Sequence, residues 1–355
     1  MGNSQLCGAG VSRAGEEGEL GALSKKLHGG AGQGRIGDMA LDFPDVLMGA
    51  LVADAVAMPV HWYYDTAALR RDYGVVDQFL APRSPHADSI LWRSRYEPLN
   101  ERGDILREQA RFWGQRGVHY HQFLAAGENT LNFKLAVELF GMVREAGKYD
   151  PDAWLERYIE FMLTPGRHRD TYVEEYHRAF FTNLARGKKP RACGIEDVHI
   201  GGLSQVPALI AALGAGNPEL VEVVKMHVGL THGKTGVVAA AVCLVRIHAA
   251  LAAGVPLREA ILENASEYVS ARKTEKWSGL EDEVVVGRML SPACYIQDAF
   301  PAALWLAWKY AGDFSAGILA NANVGGDNCH RGAVVGSLLG AANGVPVRWS
   351  DGLAG

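Results

Sequence analysis

Gly325-Gly326-Asp327-Asn328-Cys329-His330-Arg331-Gly332-Ala333-Val334-Val335-Gly336-Ser337-Leu338-Leu339-Gly340-Ala341-Ala342-Asn343-Gly344 is the stretch whose reading decides the fold. Its second half places Gly336, Gly340 and Gly344 four residues apart. On an α-helix that spacing lines one face with small residues and lets a second helix approach closely. Its first half puts two glycines ahead of an acid. Glycine accepts unusual backbone angles, so the turn's main chain can approach a ligand. Asp327, Cys329 and His330 then follow where the helix starts.

Outward from this segment the chain reads as helical. Apolar residues recur with a helical period over 45–58, 97–116, 129–146, 152–163, 171–186, 218–228, 234–253, 256–269, 297–310, 313–322 and 328–342. Asn129 or Thr130 is placed to cap the third of these. Period-two alternation is scarce, hairpin signals are missing, and no Pro/Gly/Ser linker interrupts 41–350. The expectation is one all-α domain over 41–350. Residues 1–40 hold 11 of the chain's 42 glycines and no aromatic residue. They cannot bury enough apolar surface to offset ordering entropy, so a disordered tail is expected.

Composition excludes several classes. The 355 residues carry a formal charge of −5, without the basic stripe of a nucleic-acid binder. Uninterrupted apolar runs fall short of the roughly 20 residues that span a bilayer. Five cysteines without C-x-x-C read as reduced thiols. A cytoplasmic protein with no obligate protein partner is the expectation.

Functional-looking residues gather between helices. Asp54, His61 and Trp62 surround a helix end at Pro59. They read as an aromatic collar or as the wall of a ligand pocket. His119 and His121 precede Gly127-Glu128-Asn129-Thr130. There Glu128 is either a first-turn acid or a carboxylate that activates water or holds metal. Arg167 and Arg169 either hold a phosphate or pair with nearby acids on a solvated face. Asn328 completes the Gly325-Gly326-Asp327 turn as a substrate contact.

Three segments together resemble the ADP-ribosylglycohydrolase family. Gly49-Ala-Leu-Val-Ala-Asp54-Ala-Val-Ala-Met-Pro59-Val-His61 resembles its opening helix, G-x-x-x-G-D-A-x-G-x-P-x-E. Leu230-Thr231-His232 resembles the Leu/Ser-Thr/Ser-His segment before a long helix. The Gly325–Gly344 segment resembles the ending G-G-D-x-D-T-x-A-A-x-x-G-x-x-x-G-A-x-x-G. The family includes jellyfish J1 crystallins, which are structural lens proteins. The resemblance implies an orthogonally packed all-α domain with a central cleft. It also implies two magnesium ions, held by an N-terminal Glu, a T-D-D-T segment and the D-x-D-T of the ending.

Each of those ligand elements is changed here. The Glu position is His61, the T-D-D-T position is Gly127-Glu128-Asn129-Thr130, and the ending carries Cys329 and His330. Magnesium wants oxygen donors, and these replacements supply softer ones. A single manganese or zinc ion on Glu128, Asn129, Asp327, Cys329 and His330 (or His61) is one expectation, and a metal-free cleft is the other. Two functions stay open. One is hydrolysis of an N- or O-glycosidic bond of ADP-ribose or a related ribosyl compound, with Glu128 and Asp327 catalytic. The other is a catalytically silent nucleotide-binding or crystallin-like protein. On either reading the partner is an ADP-ribosyl-type small molecule, contacted by Asp54, His61, Trp62, His119, His121, Asn129, Gly325, Gly326 and Asn328.

Overall fold

The computed structural model describes residues 43–354. The expected tail over 1–40 lies outside them. Thirteen helices of eight residues or more follow in order among the described residues: Asp45–Ala57 (α1), Thr66–Tyr73 (α2), Leu131–Ala146 (α3), Pro151–Leu163 (α4), Glu175–Ala185 (α5), Val206–Leu213 (α6), Leu220–Gly229 (α7), Thr235–Ala252 (α8), Leu257–Asn264 (α9), Ala271–Ser278 (α10), Ile296–Lys309 (α11), Phe314–Asn323 (α12) and Asn328–Asn343 (α13). Among the described residues β-structure is confined to isolated bridges such as His199 with Tyr295. The fold is all-α.

The most extensive helix pair is α1 on α13, with α11 and α12 packed on α13 and α6 on α1. Small residues make this contact. A Cβ built at Gly336 would lie 2.1 Å from the carbonyl oxygen of Gly49, and one at Gly340 would lie 2.3 Å from that of Asp45. The four-residue glycine spacing does what it predicts: it removes the side chains that would hold the two backbones apart. Both helices are apolar nearly all round, as buried helices are.

One expected helix, over 97–116, does not form. Short 3-10 turns at Glu101–Gly103 and Arg107–Phe112 replace it. Polar side chains there capture the backbone donors. Tyr96 Oη accepts the N–H groups of Ile105 (2.7 Å) and Leu106 (3.2 Å), and Asp104 accepts that of Arg107 (2.9 Å). Such local bonds compete with a helical ladder. The structure adds α2, α6 and α10, which periodicity does not reveal. Asp65 caps α2 through the N–H groups of Ala67 and Ala68.

Helix α8 corrects the membrane expectation in part. Its 18 residues, with a mean hydropathy of 1.9, are long and apolar enough to cross a bilayer by length and composition. Arg246 and His248 punctuate the run, which is why it does not read as continuous. Half of that stretch is buried, and the helix packs against α7, α9 and α11. That is also how the core helix of a globular fold behaves.

Candidate functional site

The end of α1 delivers the site. A 3-10 turn, Met58–Val60, carries Pro59 at its start and halts the helix. His61, Trp62 and Tyr63 then turn back over α13. Trp62 sits at φ 61°, a region costly for a bulky residue. Its N–H donates to Gly326 O at 2.8 Å, and Gly326 N–H donates to Tyr63 O at 2.6 Å. These two bonds lock the 61–63 segment onto the Gly-Gly turn. Gly325 and Gly326 have φ of 63° and 66°. A Cβ at either would come within 2.2 Å of Tyr63 O or 2.1 Å of Pro292 O. What approaches this turn is the chain itself, where the sequence suggested a ligand. Arg331, wholly buried, pins the turn by donating to Asn321 O (3.0 Å) and Gly325 O (2.8 Å).

A line of buried ionisable groups runs through this corner. Asp170 Oδ1 lies 2.7 Å from His121 Nδ1, His121 Nε2 lies 2.8 Å from His61 Nδ1, and His61 Nε2 lies 2.9 Å from Asp327 Oδ1. Each of these three bonds needs one proton. Two neutral imidazoles supply only two. Beyond Asp327, His330 Nδ1 lies 2.7 Å from Asp327 Oδ1 and its Nε2 lies 3.0 Å from Glu174 Oε1. The first of these contacts is close but off the line of a good hydrogen bond, since Nδ1 finds no hydrogen-bond partner. Asp327 Oδ2 is buried and unpartnered.

The charge states follow from this geometry. Burial alone would neutralise His330, but Asp327 and Glu174 outweigh it and hold the imidazole well above its ordinary value. Burial likewise opposes ionisation of Glu174, yet His330 brings it down to about 2. Asp327 is held far below the carboxylate range by His330 and His61 against the same penalty. Burial dominates at His61 and takes it down to about 3. The result is a Glu174–His330–Asp327 ion triad.

His330 and Glu174 open onto a cavity of about 170 Å³, walled also by Trp62, Tyr120, Tyr172 and Tyr176. Trp62 stacks on His61 at 3.7 Å between centroids and meets Tyr120 and Tyr172 edge-on. A larger groove of about 650 Å³ beside α8 contains none of these groups.

The other expected site residues sit as follows. Glu128 Oε2 accepts Ala125 N–H (2.8 Å) and an Arg169 N–H (2.6 Å), while Oε1 accepts from Lys134 (2.7 Å). Arg167 pairs with Glu138. The two arginines thus meet acids of the fold. Asp54 is fully buried and accepts from Asn129 Nδ2 (2.9 Å), Thr130 N–H (2.8 Å) and Thr130 Oγ (2.8 Å). Thr130 therefore stands at the N-cap of α3 without a side-chain cap of its own. His119 is held between Pro59 O (2.9 Å) and His121 N–H (3.0 Å). Asn328 donates to Val60 O and Ala322 O. The Cys329 thiol points to Asp54 O at 3.6 Å.

His61, Asp327 and His330 are the group among the described residues whose donor atoms lie within 4.8 Å of one another. Glu128, Asn129 and Cys329, expected as metal ligands, are not in it, because their polar atoms bind the backbone or other side chains. Sequence reading also missed the site roles of Glu174 and Asp170. The helix expected over 171–186 starts only at Glu175, and Asp170 ahead of it is buried against His121. The only available signal was the density of His, Asp and Glu over 168–177.

The fold has relatives among known proteins. No curated protein matches the chain. A solved structure described as an ADP-ribosylglycohydrolase-related protein complex is similar in fold, with a TM-score of 0.55 and 20% identity, over 87% of this chain and 92% of that one. The profile of the ADP-ribosylglycohydrolase family matches residues 43–355. The chain belongs to the ADP-ribosylglycohydrolase family.

Proposed function

We propose that the protein hydrolyses an N- or O-glycosidic bond of an ADP-ribosyl or smaller ribosyl compound, with the reacting sugar in the aromatic cavity. The observation that carries this reading is the Glu174–His330–Asp327 triad opening on that cavity. Ligand pockets for drug-sized molecules run about 300–1,000 Å³. A cavity of about 170 Å³ suits a ribosyl ring and its leaving group, with any nucleotide part outside.

The residues divide the work. His330 Nε2–H, held by Glu174 at 3.0 Å until substrate enters, donates to the departing group, and Asp327 at Nδ1 keeps the ring cationic beforehand. The Glu174 carboxylate stabilises positive charge developing on the sugar. Water entering the vacated position gives its proton back to His330. Donor and acceptor work on one face of the sugar, so the anomeric configuration is retained. Glu128 holds its loop to α3 and Arg169, and acts by positioning.

Two magnesium ions do not fit this corner, because the available donors are two imidazole nitrogens and one carboxylate. One nitrogen-accepting ion of the zinc or manganese type does fit. The unpartnered Asp327 Oδ2 is the observation that favours it. His61, Asp327 and His330 Nδ1 would hold it, and it would supply Lewis-acid activation of water. Elemental analysis after dialysis against zinc or manganese is expected to find up to one equivalent, absent from Asp327→Ala. A wild-type protein that stays metal-free at saturating zinc removes the ion from this reading.

Turnover is the direct test. On a panel of ADP-ribosyl and ribosyl substrates, His330→Gln and Glu174→Gln are each expected to lower kcat about 10²–10⁴-fold, the range of a general acid–base group. Folded variants with unchanged kcat would refute the assignment.

A second reading is a silent family member that binds a nucleotide-like ligand. It is favoured by the closeness of the groups, with Asp327 Oδ1 2.9 Å from His61 and 2.7 Å from His330. Thermal stabilisation by ADP-ribose without turnover would select it. Neither response would leave a crystallin-like structural role.

A further inference from the structure

Asp197, His199 and Cys294 meet on the wall of the same cavity, in a constellation that glycoside hydrolysis does not use. Residues 198–200 run antiparallel to 294–296. Ile200 N–H donates to Cys294 O at 2.8 Å, and Ile296 N–H donates to Val198 O at 2.9 Å. This pairing brings Cys294 beside His199. Asp197 Oδ1 lies 2.7 Å from His199 Nδ1 and also accepts the His199 backbone N–H at 2.7 Å. The ring is therefore fixed by one buried carboxylate through two bonds. With Nδ1 taken by Asp197, Nε2 is the ring nitrogen left toward the cavity lining that His199 shares with Cys294. The side chains of His199 and Asp197 are 30% and 3% exposed. Cys294 is a partly exposed free thiol, and both Cys294 and His199 face the cavity.

The order carboxylate, imidazole, thiol is one in which a cationic ring can stabilise a sulfur nucleophile as its thiolate. Cys294 also stands just ahead of the N-terminus of α11, an electropositive setting of the kind reactive cysteines occupy. The Asp197 carboxylate beside the ring pushes His199 up to about 10 against the opposing effect of burial. The other described cysteines differ. Cys193, Cys243 and Cys329 are buried, and their thiols point to backbone carbonyl oxygens.

We propose that Cys294, with His199 as the imidazolium that stabilises its thiolate and Asp197 as a positioning residue, is a nucleophilic thiol site that exchanges with small disulfides entering the aromatic cavity. The thiol proton leaves to solvent. Sγ then attacks one sulfur of the disulfide, whose S–S bond breaks as the Cys294 mixed disulfide forms. The released half leaves as a thiolate and takes a proton from solvent. Cys294 is oxidised and the released thiol is the reduced product, so no other oxidant is needed. Acyl transfer is the less suited alternative. It requires N–H donors around a developing oxyanion, and those of Ile200 and Ile296 beside the thiol are spent within the strand pair. Aromatic walls, by contrast, favour sulfur contacts. The mixed disulfide would fill the space beside His330 and Glu174, which ties access to this cavity to thiol redox state.

The probe is dithiodipyridine, a neutral aromatic disulfide, mixed with the full-length protein at neutral pH. Released thiopyridone gives the rate, and peptide mass mapping gives the position. Cys294 is expected to react at least tenfold faster than N-acetylcysteine. This fast phase should vanish in Cys294→Ser and slow about tenfold in His199→Gln, whose partly exposed side chain can be replaced without opening the core. Circular dichroism melting checks that each variant is folded. Asp197→Asn should give an intermediate rate. A Cys294 that reacts no faster than N-acetylcysteine overturns the proposal, as does an unchanged rate in folded His199→Gln. No glycoside is present in the assay, so its result stands apart from that of the turnover test.

Discussion

Gly336→Leu is expected to abolish folding, and Gly336→Ala to cost about 3 kcal/mol or more. The added Cβ would meet the Gly49 carbonyl oxygen at 2.1 Å and the Ala53 Cβ at 2.7 Å. The first of these is backbone in the middle of α1, which cannot step aside as a flexible side chain would. Either helix must move away along the most extensive contact in the fold. Overpacking usually costs about 1–3 kcal/mol, and this site lies at or above the upper end. At roughly 2–4 °C per kcal/mol, the alanine variant should melt about 6–12 °C lower. Gly141, on α3, is the control. A Cβ there meets nothing within 4 Å, so Gly141→Ala should be neutral or stabilise by up to about 1 kcal/mol. Equal destabilisation by the two substitutions would sink the argument, because it would reveal a helix-propensity effect with no role for the close approach.

The second large effect is acid unfolding well above the carboxylate range. His177, His227 and His248 are buried, and burial lowers each to about 3. The sign follows from linkage. Below the unfolded value of about 6.5 the unfolded chain binds protons that the folded chain refuses. Their neutral burial is therefore without penalty above about pH 6.5, and stability falls as pH drops toward 3. At pH 5 each contributes a loss of about 2 kcal/mol, at 1.36 kcal/mol per pH unit. Together they remove on the order of 6 kcal/mol, against a typical total of 5–15 kcal/mol. Glu174, lowered to about 2, adds a further loss only below about pH 4.5. His330 works in the opposite sense. Its raised value contributes stability that is full below about 6.5 and declines only as pH rises through its folded value. Chemical denaturation at pH 7 and pH 5 should show the midpoint fall steeply, and His248→Asn should flatten the slope. A midpoint independent of pH between 7 and 5 would show that these rings are solvated in the folded state.

The two predictions concern different kinds of sequence information. The glycines of α13 were legible because their consequence is local and periodic: Gly336 and Gly340 on one face serve close approach, while Gly344, the third of the series, ends the helix at φ 73°. The histidines were legible as types but not as states. His61, His119 and His121 were all expected at the site, yet only His61 and His121 join the line to Asp327. His119, two residues from His121, is held by Pro59 O and a backbone N–H. Nothing in the sequence separates these two cases. Glu128 shows the same limit. As a residue type it is a reasonable base, but Lys134, in the first turn of α3, and Arg169, from a distant loop, occupy both its oxygens.

The sequence by itself determined the helical class, a face on α13 suited to close packing and the family, because helical period, glycine spacing and the Gly-Gly-Asp turn act over a few residues each. It also located the departures from a magnesium site at His61, Cys329 and His330. Only the tertiary structure decided which of these departures matter. Cys329 turned toward Asp54 O, while His330 came to rest between Asp327 and Glu174, whose side chains approach from different elements. The same holds for Cys294 and His199, which stand 95 positions apart in the sequence and meet through one pair of backbone hydrogen bonds. Charge state and reactivity depend on burial and on partners brought in from afar, and residue order specifies those only through the completed fold.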